Sequence, residues 1–334
     1  MDAIREAIRS SSEPMVFFDD DADGIASFLL FDSALGKTLY APMKKRPNQG
    51  ETYANLAAQL GADLKIVLDV AVLDDIFLTT PPRTVWIDHH EPQDPRSALY
   101  LNPLLEGESR PTAILVHELI GGPLWIAAVG SIGDYYIPPF IEELRETHPT
   151  LVPPFERIED LVFSSPLGEL ALIFETCVKG TVREARRKLD VLRRIKEPEE
   201  LLEGTTTEGM IIRRAYERDR EEYRRFLAEA LEQAESSDKL FVYRYAHSGH
   251  TFTAQLSNEL AYTLPEHVII VAAEYAGAYR LSIRSHTREL PELLARALNG
   301  IEGSGGGHPH ACGAHVKSED FERFVENLKR ELED

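Results

Sequence analysis

Four carboxylates crowd into five positions of "FFDDDADGIAS" (17–27): Asp19, Asp20, Asp21 and Asp23. Anions this close repel one another unless water solvates them or cations neutralise them. Asp21 and Asp23 are one residue apart, so at a strand-to-loop turn they can bracket cations. Hard divalent ions such as Mg²⁺ and Mn²⁺ prefer carboxylate oxygen, and imidazole adds affinity for Mn²⁺. Further along, "LKIVLD" ends in Asp69, "WIDHHEPQ" offers Asp88, His89 and His90, and "AAVGSIGDYY" places Asp134 after an apolar helix and a small-residue turn. Each piece alone also fits a solvated loop, a helix cap or a surface turn. Their order along the chain is what favours metal-assisted chemistry.

The surrounding elements must bring these residues together. "PMVFFD" (14–19), "KTLYAP" (37–42), "LKIVLD" (64–69) and "RTVWID" (83–88) read as short strands. "GIASFLLFDSAL" (24–35) and "ETYANLAAQL" (51–60) read as helices, the first opened by Gly24 and the second stopped by Gly61. Strands alternating with helices predict parallel βαβ units. Three of the strands end in aspartate: Asp19, Asp69 and Asp88. Ligands of open α/β sheets sit at the carboxyl ends of the strands, so these three converge on one edge.

From 140 to 236 the chain is rich in Glu, Arg and Leu, with little strand character. In "VREARRKLDVLRRIK" (182–196), Val182, Ala185, Leu189, Leu192 and Ile195 recur at helical spacing. The opposite face carries Arg183, Arg186, Arg187, Lys188, Arg193, Arg194 and Lys196. This face and "KKR" (44–46) are either helix surface laced with i,i+4 ion pairs or a path for a single-strand backbone. "RRAYERDREEYRRFLAEALEQAE" (213–235) reads as a long charged connecting helix.

From 239 a new domain begins, with strands in "KLFVYRYA", "HVIIVAAEY" and "YRLSIRS" and helices in "PELLARAL" and "FERFVENLKREL". "GSGGGHPHACGAH" (303–315) reads as a binding loop leading into a strand. Consecutive glycines let backbone N–H groups approach a phosphate closely, and Arg284 and His308 would add charge-assisted donors. His247, His250 and His286 read as surface residues. The fold class is α/β. A parallel-sheet domain with a helical extension (1–205) is joined by a connecting helix (206–238) to a smaller α/β domain (239–334).

The ordered set Asp-x-Asp-x-Asp-Gly, strand-end Asp, Asp-His-His and Gly-x-x-Gly-Asp resembles the DHH phosphoesterases. "GSGGGHPHACGAH" is similar to the Gly-Gly-Gly-His signature of the DHH-associated domain, and "SIRS" to its arginine-bearing strand. The resemblance implies two divalent cations, Mn²⁺ first and Mg²⁺ second. Asp19, Asp21 and Asp69 would hold one; Asp23, Asp69, His89 and Asp134 would hold the other, with Asp69 bridging. His90, beside Asp88, would contact the scissile phosphate or assist the leaving group. Arg284, Ser285, Gly305, Gly306, Gly307 and His308 would bind substrate. Many members carry histidine at the position of Asp19; aspartate there is similar to the RecJ-like branch.

Formal net charge is −20. That argues against a protein that coats long nucleic acid over its whole surface, while leaving room for a local groove. Cys177 and Cys312 are the only cysteines, so a disulfide framework and a Cys-rich zinc site are excluded. No run of about 18 apolar residues is present, and "MDAIREAIRS" reads as an amphipathic helix rather than a signal peptide. The expected setting is a reducing cytoplasm, without a membrane partner.

The expected activity is that of a metal-dependent exonuclease on single-stranded DNA or RNA, releasing nucleoside monophosphates. The rivals are a phosphodiesterase of short oligonucleotides or cyclic dinucleotides, and a replication or repair scaffold that kept the fold and lost catalysis. A homo-oligomer and a replication or repair protein partner stay open.

Overall fold

The computed structural model describes residues 1–36, 38–43, 50–95, 97–234, 239–246 and 252–333. The basic "KKR" stretch, His247 and His250 lie outside the described residues. The chain divides into two compact units, 1–217 and 218–334.

The first unit runs α1 (Asp2–Ser10), β1 (Pro14–Asp19), α2 (Ala22–Leu35), β2 (Leu39–Met43), α3 (Gly50–Gln59), β3 (Leu64–Leu68), α4 (Asp75–Thr79), β4 (Thr84–Ile87) and β5 (Ala98–Leu101). Helices α5 (Thr112–Ile120), α6 (Leu124–Gly133), α7 (Ile141–Thr147), α8 (Ile158–Ser164), α9 (Pro166–Val178), α10 (Val182–Leu192) and α11 (Pro198–Glu203) follow. Helix α12 (Thr207–Ala234) contains the boundary between the units.

Among the described residues the first sheet has five parallel strands in the order β2-β1-β3-β4-β5. Its central strands are apolar, apart from Asp19, Lys65 and Thr84, because both faces are covered. Val16, Phe18, Ile66 and Ile87 face a core built with α2, α5, α6 and α9; Met15, Phe17, Val67 and Trp86 face a smaller one with Ala54 of α3 and Phe77 of α4. The ladder continues past two strand ends, since Asp69 N–H donates to Ile87 O at 2.9 Å and Asp88 N–H to Leu101 O at 3.0 Å. This places Asp19, Asp69 and Asp88 on adjacent strands at one sheet edge. The α/β reading with a parallel N-terminal sheet is therefore borne out.

The basic face of α10 is partly committed to packing. Arg193 forms a two-pronged ion pair with Asp32, and Lys188 donates to the carbonyls of Thr176 and Lys179 at the end of α9. Arg183, Arg186 and Arg187 are exposed.

The second unit contains β6 (Leu240–Ala246), α13 (Thr253–Thr263), β7 (Val268–Tyr275), β8 (Ala278–Arg284), α14 (Leu290–Ala297), β9 (Gly303–His308), β10 (Ala311–Lys317) and α15 (Phe321–Glu333). Its mixed sheet has the order β6-β7-β8-β10-β9, with β6 parallel to β7 and the other pairs antiparallel. One face packs on α14 and α15, the other on α13 and on Tyr223 and Phe226 of α12. The glycine run differs from its expectation. It is not a loop but the edge strand β9, paired with β10 from His308↔Ala311 to Gly303↔Val316. Glycine suits the position because a Cβ at Gly305 would press on Ala314 and Leu294, and one at Gly307 (φ 150°) on Cys312.

Candidate metal centre

Asp19 ends β1 and is 1% exposed. Two residues on, Asp21 is the N-cap of α2, its Oδ1 accepting the Gly24 N–H at 3.1 Å. Gly24 is forced by proximity: a Cβ there would collide with the backbone of Asp19, 2.8 Å from its nitrogen. The first turn of α2 thus lies directly on the end of β1, and that closeness carries Asp23 inward.

Asp23 is buried and does two jobs. Its Oδ2 accepts the Thr112 N–H at 2.7 Å and its Oδ1 accepts the Ala113 N–H at 2.8 Å, so it satisfies the first turn of α5. The Thr112 hydroxyl reaches across to Asp69 Oδ1 at 3.1 Å. Gly130 of α6 lets these helices meet, since a Cβ there would lie 2.9 Å from Asp23 Oδ1.

Asp69 follows β3 with φ 62° and is 1% exposed. A left-handed residue with a Cβ costs roughly 1–2 kcal/mol, and such strain is found where a side chain must be aimed. His89 Nε2 lies 3.3 Å from Asp69 Oδ1 and 3.1 Å from Asp134 Oδ2. Asp134 caps the C-terminus of α6. Asp88 is fully buried and holds His90, through Nδ1 at 2.8 Å and the backbone N–H at 3.1 Å. Asn102 Nδ2 donates to His90 O at 2.8 Å, fixing the turn from behind.

Two overlapping ligand groups result. Asp23, Asp69, His89 and Asp134 place one ligand atom each within 4.8 Å of one another, and so do Asp19, Asp21 and Asp69. Asp69 belongs to both. Asp69, His89 and His90 form a third such group. The donor set fits divalent cations, being carboxylate-rich with imidazole. Within it, the buried Oδ2 of Asp69 has no hydrogen-bond donor among the described residues.

Electrostatics agree with that fit. Burial, and then the Asp21 charge, pushes Asp23 up to about 7. Burial, and then the Asp23 charge, pushes Asp134 up to about 8 and holds Asp69 well above the usual carboxylate range. Such a cluster must take up protons or cations to be comfortable.

The substrate-binding candidates gather in the second unit. Arg284 ends β8 opposite Ala311, next to the turn that closes β9 and β10. Its guanidinium donates to Asn258 Oδ1, to Ile283 O at 2.9 Å and to Cys312 O at 3.3 Å. Ser285 is buried; its N–H donates to His310 O, and its Oγ accepts the N–H groups of Thr287 and Arg288. Gly305, Gly306, Gly307 and His308 are exposed along β9, and a Cβ at Gly306 would meet open space.

Sequence reading did not find Thr112, Asn102, Gly130 or Asn258. Thr112 had a signal, since Pro111 stands immediately before an apolar run and marks a helix start. Asn258 lies inside a helix and had none.

Residues 241–334 match the DHHA1 domain model. No curated protein matches the chain. Among solved structures, RecJ of Thermus thermophilus in complex with Mn²⁺ superposes with TM-score 0.65 at 18% identity, covering 98% of this chain and 53% of that protein. Its Mg²⁺ complex gives 0.59 at 19% identity, covering 98% and 51%. The chain thus spans about half the length of the RecJ structures it matches first. The pGpG-specific phosphodiesterase PggH of Vibrio cholerae gives 0.55 at 14% identity, covering 96% of this chain and 99% of that one. The C-terminal part of the chain thus matches the DHHA1 domain, and the chain along its length has a fold similar to that of RecJ.

Proposed function

We propose that the chain is a divalent-metal-dependent phosphodiesterase that trims single-stranded DNA or RNA from an end and releases nucleoside monophosphates. The observation that carries this reading is the pair of ligand groups sharing Asp69 at the carboxyl edge of the parallel sheet. Asp19, Asp21 and Asp69 would hold one cation; Asp23, Asp69, His89 and Asp134 would hold the other. When bound, such a pair of dications stabilises charge on phosphoryl oxygens and acidifies water.

The chain's own groups do the rest. Asp88 accepts from Nδ1–H of His90, which leaves Nε2 to meet a substrate oxygen or to give a proton to the leaving one. Thr112 orients Asp69, and the amides of Thr112 and Ala113 orient Asp23. In the second unit, the exposed edge of β9 with Arg284 and His308 would grip a terminal phosphate.

A second reading has one observation in its favour. PggH, a pGpG-specific phosphodiesterase, matches this chain nearly end to end, which supports a dinucleotide as substrate.

The experiment is product analysis with Mn²⁺. End-labelled single strands of DNA and RNA, from two nucleotides upward, are compared with pGpG, and Asp69→Ala serves as the blank. Stepwise mononucleotide release from long strands is expected. Cleavage restricted to the shortest substrates selects the dinucleotide reading. No cleavage above the blank overturns both, and no divalent-ion binding would then favour a catalytically idle scaffold.

A further inference from the structure

Helix α6 ends on the ligand candidate Asp134, and the way it ends is unusual. The N–H of Tyr136 donates to Ser131 O at 2.9 Å and that of Tyr135 to Ile132 O at 3.0 Å. This is the Schellman closure, which needs a left-handed residue directly after the cap. Glycine is the ordinary occupant and Asn the occasional one. Here the position is Tyr135, with φ 56°.

Tyr135 is 39% exposed. Its ring meets Phe163 edge-on, with centroids 6.1 Å apart at 65°. Ile137, two residues on, is 41% exposed. An aromatic ledge with an apolar neighbour therefore stands open one residue from a group that belongs to the carboxylate–histidine cluster. Backbone strain kept beside a reactive centre points to use of the side chain it carries.

We propose that the Tyr135 ring is the platform on which a nucleobase stacks while the phosphate of the same nucleotide lies at the cluster. This rests on the phosphodiesterase reading above. Because Tyr135 directly follows Asp134, the platform is fixed relative to a ligand residue by covalent geometry. Every base has a π-face, so stacking tolerates any of them. The ligand class is a nucleotide, selected for carrying a base rather than for which base it is. Glycine would close the helix with less strain and leave no platform.

The test uses the full chain loaded with Mn²⁺ and the probe 2-aminopurine nucleoside 5′-monophosphate, which has no diester left to cleave. Stacking quenches its fluorescence. Wild type and Tyr135→Phe are expected to bind and quench alike. Tyr135→Ala and Tyr135→Gly are expected to bind about 5- to 150-fold more weakly, without quenching. On a dinucleotide diester, KM rises by a similar factor while kcat holds, and an abasic analogue shows no such difference. The melting temperature of Tyr135→Gly is expected at or above that of wild type, because strain is relieved.

Unchanged quenching and KM in Tyr135→Ala, with an active wild type, overturn the stacking role alone. A drop of several degrees in Tyr135→Gly also overturns it, by showing that the ring serves packing. A wild type that neither binds the probe nor cleaves any diester overturns the phosphodiesterase reading and this inference with it.

Discussion

One carboxylate grips His90 twice. Asp88 Oδ2 accepts the His90 backbone N–H at 3.1 Å, and Oδ1 meets Nδ1 of the same residue at 2.8 Å. The ring is thereby fixed in both orientation and tautomer. Asp88→Asn keeps the volume but offers one oxygen to two donors. We expect kcat to fall about 100-fold or more, within the range of a lost general acid, with metal content unchanged. Metal stoichiometry alongside kcat checks this; loss of metal in the variant would show that Asp88 serves binding instead.

The raised carboxylates predict a coupled dependence on pH. Asp23 and Asp134 titrate near 7 and 8 in the folded chain, above the ordinary 3.8. The folded, metal-free state therefore binds more protons than the unfolded one. By linkage the stability these two groups contribute is fully present near pH 4 and below, and is lost as pH rises to about 8. Cations need the ionised form, so metal affinity climbs over the upper part of the same range and loading releases protons. Thermal melts in chelator and in Mn²⁺ should diverge as pH increases. Parallel curves would contradict the expectation.

Gly24 sets the distance between β1 and α2. Gly24→Ala puts a methyl group against the backbone of Asp19, which cannot yield as a side-chain tip can. The cost is about 1–3 kcal/mol, as for an overpacked site. Metal affinity should drop with it, because Asp21 and Asp23 ride on the displaced turn. Denaturant melts and a metal titration report the two effects. Intact affinity with lost stability would mean that the turn adapts.

Thr112→Val tests the link between α5 and Asp69. The change keeps the shape and both backbone bonds to Asp23 but removes the hydroxyl that meets Asp69 Oδ1. We expect metal affinity to weaken about 10-fold, the usual scale for an outer partner of a ligand. Thr112→Ser should restore it. Calorimetric titration of Mn²⁺ into the three proteins is the measurement, and equal affinities would remove Thr112 from the site.

What could be read in the sequence follows from burial. β1, β3 and β4 are covered on both faces and therefore stand out as apolar runs, each closing on an aspartate. β5, "ALYL", is a four-residue half-buried edge strand with no comparable contrast. Helix α5 buries Thr112 to Val116 in succession, so it lacks the polar face by which helices are noticed. The glycine run read as a loop because glycine disfavours strands; its place in β9 depends on close packing against Ala314 and Leu294, which composition does not reveal. The expected ligand residues do come together. Their supports do not show in the sequence, because Thr112 meets Asp23 across 89 positions and Asp69 across 43.

The double duty of Asp23 limits how this centre can change over time. A residue there must accept two amides from the start of α5 and still face the cluster. Histidine cannot accept both amides, and asparagine has a single acceptor oxygen. A different ligand at this position would require a different beginning for α5, so the two segments are bound to vary together or not at all. By contrast Asp19 closes a strand, and its Oδ1 accepts the N–H of its own neighbour Asp20 at 2.8 Å, a local bond that ties it to no distant helix start as Asp23 is tied to α5.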